Sequence, residues 1–145
     1  METHFKNVRT PKDLINSCIS IIVGIALYFV SPGFGIFFAA GGLLLLLFCK
    51  SGYKASNEGP VLKKKTIEVA HSCRQSLIDF LDGKDVEPEL NRSGAGSILR
   101  LEAYFSKEAG VAYVQLFDYI NYTYEKATEL VELHSPQADK IINKL

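Results

Sequence analysis

One apolar stretch, interrupted once, dominates this sequence. Leu14–Val30 comprises 17 residues and Phe34–Cys49 comprises 16, and neither run contains a charged side chain. As helices the two runs would each be about 25 Å long, slightly less than the roughly 30 Å thickness of a bilayer's hydrocarbon core. Between them, Ser31-Pro32-Gly33 predicts a tight reversal, because proline cannot continue a helix and glycine frees the backbone. The pattern predicts a two-span transmembrane helical hairpin over residues 14–49.

A signal peptide or a buried hairpin could also give an apolar N-terminal stretch, but both fit this sequence less well. A secretory signal peptide has a single apolar core followed by a small-residue cleavage site, whereas here a second apolar run follows the first at once. A hairpin buried inside a soluble protein is disfavoured by the run Gly41–Phe48, which is apolar on every helix face.

Basic residues flank the hairpin on both sides and do not occur in its turn. Lys6, Arg9 and Lys12 precede it, and Lys50, Lys54 and Lys63–Lys65 follow it. Because positive charge is retained on the cytoplasmic side of a membrane, this distribution predicts that both termini are cytoplasmic. Residues 1–13 would form a cytoplasmic N-terminal segment and residues 50–59 a polar linker.

Residues 60–145 are expected to form one small cytoplasmic domain that is mainly helical, which makes the predicted fold class all-α. Pro60 and Gly83 suit the two ends of a first helix. Ser97 would cap a second helix, residues 111–133 would form a third, and a short helix would follow Pro136. The aromatic and β-branched content of residues 112–124 leaves strands open as the alternative there.

Composition and motifs argue against several functional classes. From Pro60 onward 11 Lys/Arg stand against 13 Asp/Glu, a net charge of −2, so a duplex nucleic acid is not an expected partner. The three cysteines have no CxxC spacing, which disfavours both a disulfide framework and a zinc site. No nucleophile, Walker or zinc-protease motif occurs. We therefore expect no enzyme activity, no catalytic residues, no metal and no cofactor.

A glycine-rich loop leading into the second predicted helix is the first candidate ligand site. Glycines let backbone N–H groups approach a ligand, and a helix N-terminus favours anions. Arginines would add phosphate contacts, and a tyrosine one turn further on could stack on a base. The candidate residues are Arg92, Ser93, Gly94, Gly96, Ser97, Arg100 and Tyr104. A plain capped loop is the alternative.

The second candidate is a basic cluster formed by Lys64, His71 and Arg74. Their spacings of seven and three residues would place them on one face of the first predicted helix. The simplest role for such a cluster beyond a membrane span is to face anionic headgroups. In a symmetric oligomer, the same face from several copies would instead make a central positive pocket for a symmetric polyanion.

The overall architecture resembles that of the two-span membrane effectors of type III CRISPR defence, in particular a small family found in vibrios. The features that carry the resemblance are the chain length, the N-terminal hairpin and a C-terminal domain of about 85 residues. The resemblance implies that the cytoplasmic domain binds cyclic tetra-adenylate and that the protein assembles as a homotetramer. It also implies that the hairpin lies in a bacterial inner membrane, which the protein perturbs.

Two functions follow as expectations. In the first, the chain is an antiviral effector whose cytoplasmic domain binds a cyclic oligoadenylate, and binding opens a pore or disrupts the bilayer. In the second, the hairpin is only an anchor, and the chain is an adaptor whose aromatic third segment binds a protein partner.

Overall fold

A computed structural model of the chain describes residues 4–92 and 98–145. The described residues divide into two units, one formed by His4–Val61 and one that begins at Leu62 and ends at Leu145.

The N-terminal unit is a helical hairpin whose open end is joined by two short strands. Its elements are β1 (Lys6–Val8), α1 (Pro11–Tyr28), α2 (Pro32–Phe48) and β2 (Gly52–Lys54). Strands β1 and β2 pair in antiparallel fashion, so part of the predicted linker is a strand. The reversal lies just before Pro32, because proline is favoured at the first position of a helix and here begins α2.

The N-terminus of α1 is held by side chains from both ends of the hairpin. Thr10 and Asp13 form a reciprocal capping box. The Asp13 carboxylate, which is 7% exposed, also accepts hydrogen bonds from the backbone N–H of Ser51 at 3.0 Å and from its hydroxyl at 2.8 Å. Asp13 therefore joins the start of α1 to the chain that leaves α2.

Three glycines allow the two helices to pack with their backbones in contact. A Cβ atom at Gly24 would lie 2.8 Å from Ala39 Cα, and one at Gly35 would lie 2.7 Å from Tyr28 Cβ. A Cβ atom at Gly42 would lie 2.7 Å from Ile21 Cγ1. These distances are shorter than van der Waals contact, so only glycine fits. Small residues serve this purpose in packed membrane helices.

Most large apolar side chains of the hairpin point away from the helix contact. Phe29 is 84% exposed, Phe37 71% and Phe48 77%. Among the described residues, α1 is the one helix that is long and apolar enough to cross a bilayer, and α2 is apolar but one residue shorter. A signal sequence and the core helix of a soluble protein also satisfy that criterion, although only 17% of the α1 window is buried.

The C-terminal unit is built on a five-stranded antiparallel sheet, so the expectation of an all-α fold is wrong. Its strands are β3 (Lys63–Ala70), β4 (Ile98–Ser106), β5 (Val111–Ile120), β6 (Thr123–Lys126) and β7 (Val131–His134). The sheet order is β3-β4-β5-β6, and β7 pairs with β5. A 3₁₀ turn (His71–Cys73) leads into α3 (Arg74–Leu81), and α4 (Gln137–Ile142) follows β7.

One face of this sheet forms the core together with α3 and α4. The strands contribute alternate side chains and the helices contribute their apolar faces. The largest fully buried core members are Phe80, Leu77, Leu99, Leu101, Leu116 and Ile141. Of the predicted helices, only the last part of the first and the short terminal helix occur.

Candidate ligand-binding face

The sheet face opposite the helices carries a mixture of aromatic and charged side chains. It consists of alternate residues of β3, β4, β5 and β6, all of them partly or fully exposed. We call it the open face, and its members include Lys64, Thr66, Glu68, Arg100, Glu102, Tyr104, Tyr113, Gln115, Phe117, Tyr119, Tyr124 and Lys126.

Glu102 lies between two cations of this face, Lys64 and Arg100. Its carboxylate is 3.0 Å from Lys64 Nζ and 2.5 Å from Arg100 Nη2, and its side chain is only 14% exposed. Burial disfavours the charge of Lys64, but hydrogen bonds to Tyr104 and Glu102 outweigh it and raise the pKa of this lysine. One carboxylate therefore neutralises part of a doubly charged site.

Each cation also lies over an aromatic ring. Lys64 Nζ is 5.1 Å from the centroid of Tyr104, and Arg100 Cζ is 4.9 Å from the centroid of Tyr124. Both distances fall within the range of cation–π contacts. The buried Nε of Arg100 has no hydrogen-bond partner among the described residues.

A third group of contacts positions the tyrosine rings. The Tyr124 hydroxyl donates to Glu68 at 3.1 Å, and its ring centroid is 5.0 Å from that of Tyr119. Burial, together with the bond to Glu68, raises the pKa of Tyr124. The Tyr113 hydroxyl donates to Glu132 at 2.9 Å. The Tyr124 bond joins β6 to β3 and the Tyr113 bond joins β5 to β7, so hydrogen bonds between strands hold these two rings in place.

Of the predicted site residues, three meet on this face. Lys64 and Tyr104 are cross-strand partners, and Arg100 lies on β4 four residues before Tyr104. The residues come from both candidate sites, which lie in separate segments of the sequence. Pairing of β3 with β4 unites them.

The predicted cluster of Lys64, His71 and Arg74 does not form. Lys64 lies on a strand, so its helical spacing to the other two is lost. Arg74 begins α3 and makes a bidentate pair with Asp118, with N–O distances of 3.2 and 3.1 Å. The hydrogen bonds to Asp118 raise the pKa of Arg74. His71 is exposed in the 3₁₀ turn.

The prediction that the glycine-rich loop leads into a second helix is wrong. Arg100 and Tyr104 lie on strand β4, not on a helix, so the loop does not lead into a helix N-terminus that would favour an anion. Arg92 is exposed, in irregular chain. The remaining members of that prediction, Ser93, Gly94, Gly96 and Ser97, lie outside the described residues.

Sequence reasoning missed Glu102, Phe117 and Tyr124 as site residues. The signal was present, because polar and aromatic residues alternate with apolar ones from Leu99 to Phe105 at the spacing of a strand. Pairing then places Phe117 beside Arg100.

Within residues 4–92 and 98–145, no group of three or more His, Cys, Asp or Glu side chains is placed to hold a metal ion. Comparison of the chain with protein-family profiles, with curated proteins and with solved structures finds no significant match. The function is therefore inferred from the geometry of the open face and from the hairpin.

Proposed function

We propose that this protein is a membrane-embedded effector whose C-terminal unit binds a nucleotide second messenger on the open face. In this proposal the hairpin inserts into the bacterial inner membrane with both termini in the cytoplasm. Ligand binding changes the hairpin so that it opens a pore or disrupts the bilayer. The architectural resemblance narrows the ligand to a cyclic oligoadenylate, with cyclic tetra-adenylate as the first candidate, and the biological role to antiviral defence.

The observation that carries the proposal is the pairing of cations with aromatic rings on the open face. Nucleotides offer phosphates, which accept charge-assisted hydrogen bonds from arginine and lysine, and bases, which stack on aromatic rings. Arg100 with Tyr124 and Lys64 with Tyr104 each provide both kinds of group within about one side-chain length.

Glu102 is the group that a phosphate must displace when it binds the open face. A phosphate that approaches the cations must compete with the carboxylate that already binds Lys64 and Arg100. The Nε of Arg100 is buried and has no partner among the described residues, so it would become a further donor to phosphate only once the side chain moves away from Glu102. Binding would therefore exchange one anionic partner for another and release Glu102 toward solvent.

A cyclic tetranucleotide has four phosphates and four bases, which is more than one open face can contact. A symmetric homo-oligomer, such as a homotetramer, would present one open face from each copy to this symmetric ligand. A ligand shared in this way links the copies, so its binding energy can favour one arrangement of the hairpins over another.

The hairpin supports the membrane part of the proposal. Exposed Phe29, Phe37 and Phe48 would place a large apolar surface in water, which soluble monomers rarely do. Neither helix carries an ionisable side chain between Leu14 and Phe48 other than Cys18 and Tyr28, so the hairpin has no charged transport pathway of its own.

The proposal is tested by binding of fluorescent cyclic tetra-adenylate to the full-length protein in nanodiscs. Arg100→Gln and Lys64→Gln should each weaken binding by about tenfold or more, because each removes a charge-assisted contact to phosphate. Glu102→Gln should strengthen binding, since it removes the competing carboxylate.

Matched controls exist for both cations. Arg74→Gln removes the same charge from α3, and Lys63→Gln removes it from the residue beside Lys64, whose side chain alternates to the other side of the strand. Both controls should leave affinity within about threefold. Equal losses in the controls and the test variants, or weaker binding by Glu102→Gln, would contradict a site on the open face.

One observation favours the adaptor function as the second candidate. The β5–β6 turn presents Tyr122, 91% exposed, with a backbone φ of 64° that a tyrosine rarely adopts. Ile120 beside it is 44% exposed. An exposed aromatic residue at a strained turn is typical of a surface that contacts a protein partner.

Exchange of the hairpin distinguishes the two functions. Residues 11–49 are replaced by an unrelated two-span anchor of the same orientation, and membrane permeability is measured with a dye in cells that produce the messenger. The effector proposal predicts loss of permeabilisation. Unchanged cellular activity of the exchanged protein would favour the adaptor.

A further inference from the structure

A cavity lies in the N-terminal unit, at the end of the hairpin that carries the two short strands. Its volume is about 360 Å³, and its lining is basic and apolar, without a carboxylate among the described residues. The lining residues are Lys6, Val8, Arg9, Lys54, Asn57 and Val61.

Strand pairing places two of these cations directly opposite each other. Lys6 is the register partner of Lys54 in the β1–β2 pair, and like charges at such positions destabilise a sheet. The Lys54 ammonium donates to the Asn57 carbonyl, at 3.4 Å. Among residues 4–92 and 98–145, no ion pair with Lys6, Arg9 or Lys54 is formed. An anion in the cavity would relieve this repulsion.

Arg9 connects the cavity to the apolar helices. Its guanidinium donates a hydrogen bond to the Leu46 carbonyl, in the last turn of α2, where helix carbonyls lack partners. Two residues after Arg9, α1 begins, and α2 ends four residues before β2. The cavity therefore lies where both apolar helices end and their polar flanks begin.

We propose that this cavity binds the phosphate of an anionic phospholipid headgroup, of the phosphatidylglycerol type. The inference rests on the proposed membrane insertion, because only an inserted hairpin brings its helix ends to the depth of the headgroups. At that depth a phosphate is present at high local concentration and basic residues gain affinity from it. The apolar side chains of Val8 and Val61 suit the glycerol and upper acyl carbons of a lipid better than they suit a free anion.

Native mass spectrometry of the full-length protein in detergent tests the site. The probes are dioctanoyl phosphatidylglycerol, dioctanoyl phosphatidylcholine and inorganic phosphate. Phosphatidylglycerol should bind best, and the double variant K6Q/K54Q should lower its affinity by about tenfold or more. The matched control is K12Q/K50Q, which removes the same charge from exposed lysines outside the cavity and should change affinity by less than about threefold.

Three results would overturn the inference. Equal losses in the two double variants would indicate general attraction to a negative surface and no defined site. Inorganic phosphate binding as tightly as the lipid would indicate a site for free anions. Equal binding of phosphatidylcholine would mean that the cations do not select the headgroup.

A second variant keeps the test decisive if K6Q/K54Q fails to fold. Lys6→Glu should pair internally with Lys54, so it should abolish lipid binding while raising the thermal stability of the protein in neutral detergent. Lipid binding retained by Lys6→Glu would also overturn the site.

The experiments distinguish an incorrect lipid site from an incorrect assignment of membrane insertion. Release of the protein from membranes by alkaline carbonate would overturn membrane insertion, and the lipid site with it. Resistance to carbonate without selectivity among the three probes would overturn the lipid site alone. Binding of cyclic tetra-adenylate on the open face is measured separately and is independent of these variants.

Discussion

Gly24→Leu is expected to separate the two helices of the hairpin and to destabilise it by about 3 kcal/mol or more, because overpacking against rigid backbone cannot be relieved by a rotamer change. The Cβ atom alone would overlap the backbone of Ala39. The measurement is denaturant unfolding of the full-length protein in detergent micelles, followed by circular dichroism of its helices.

Gly41→Leu is the matched control for this prediction. Gly41 lies on α2, next to Gly42, but a Cβ atom there would meet no described atom within 4 Å apart from its chain neighbours and the backbone of its own helix. Its replacement should change stability little. Comparable destabilisation by the two variants would show that the contact between α1 and α2 does not depend on Gly24. Loss of messenger-dependent permeabilisation by Gly24→Leu alone would link the packed hairpin to the proposed output.

Phe80→Ala is expected to cost the C-terminal unit about 3–5 kcal/mol, the usual loss when a buried phenylalanine is truncated. Phe80 is 1% exposed and lies in α3, in the core shared by the helices and the sheet. Total stabilities of about 5–15 kcal/mol are typical of single domains, so this loss would leave much of the population unfolded. Nucleotide binding should fall with it, because the open face exists only while the sheet is paired.

Phe117→Ala provides the comparison on the same sheet. Phe117 is partly exposed on the open face, so its truncation leaves no buried cavity and should cost about 1 kcal/mol. Urea unfolding is followed by tyrosine fluorescence, which is convenient because the chain has seven tyrosines and no tryptophan. A smaller loss for Phe80→Ala than for Phe117→Ala would contradict the assignment of the two sheet faces.

The hairpin helices could be predicted because their signals are local. A long apolar run favours a helix wherever it occurs, although Pro32 and Gly33, which were expected in the turn, form the first residues of the second helix. In the C-terminal unit, Gly83 was predicted as a helix end, and α3 does end at Leu81, with Gly83 adopting a φ of 84°. Each of these features depends on residues within about one or two helical turns.

The strands were missed because short apolar runs fit two periodicities. Leu101, Tyr104 and Phe105 have helical spacing, yet Leu101, Ala103 and Phe105 also alternate at the spacing of a strand. The structure follows the second pattern. The run Lys63–Lys65 concealed β3, although lysines are common on edge strands, where they oppose pairing with other chains.

By itself, the sequence determined the two apolar helices of the hairpin and the separation of their basic flanks from the uncharged runs. It placed the turn at residues 31–33, whereas the structure places the turn before Pro32. Tertiary structure alone decided which cations share a site. Lys64 meets Tyr104 across 40 positions of sequence, whereas Arg74 is paired with Asp118 on the covered side of the sheet. The physical reason is strand register: a shift of one residue moves a side chain to the opposite face, and pairing of distant strands sets that register.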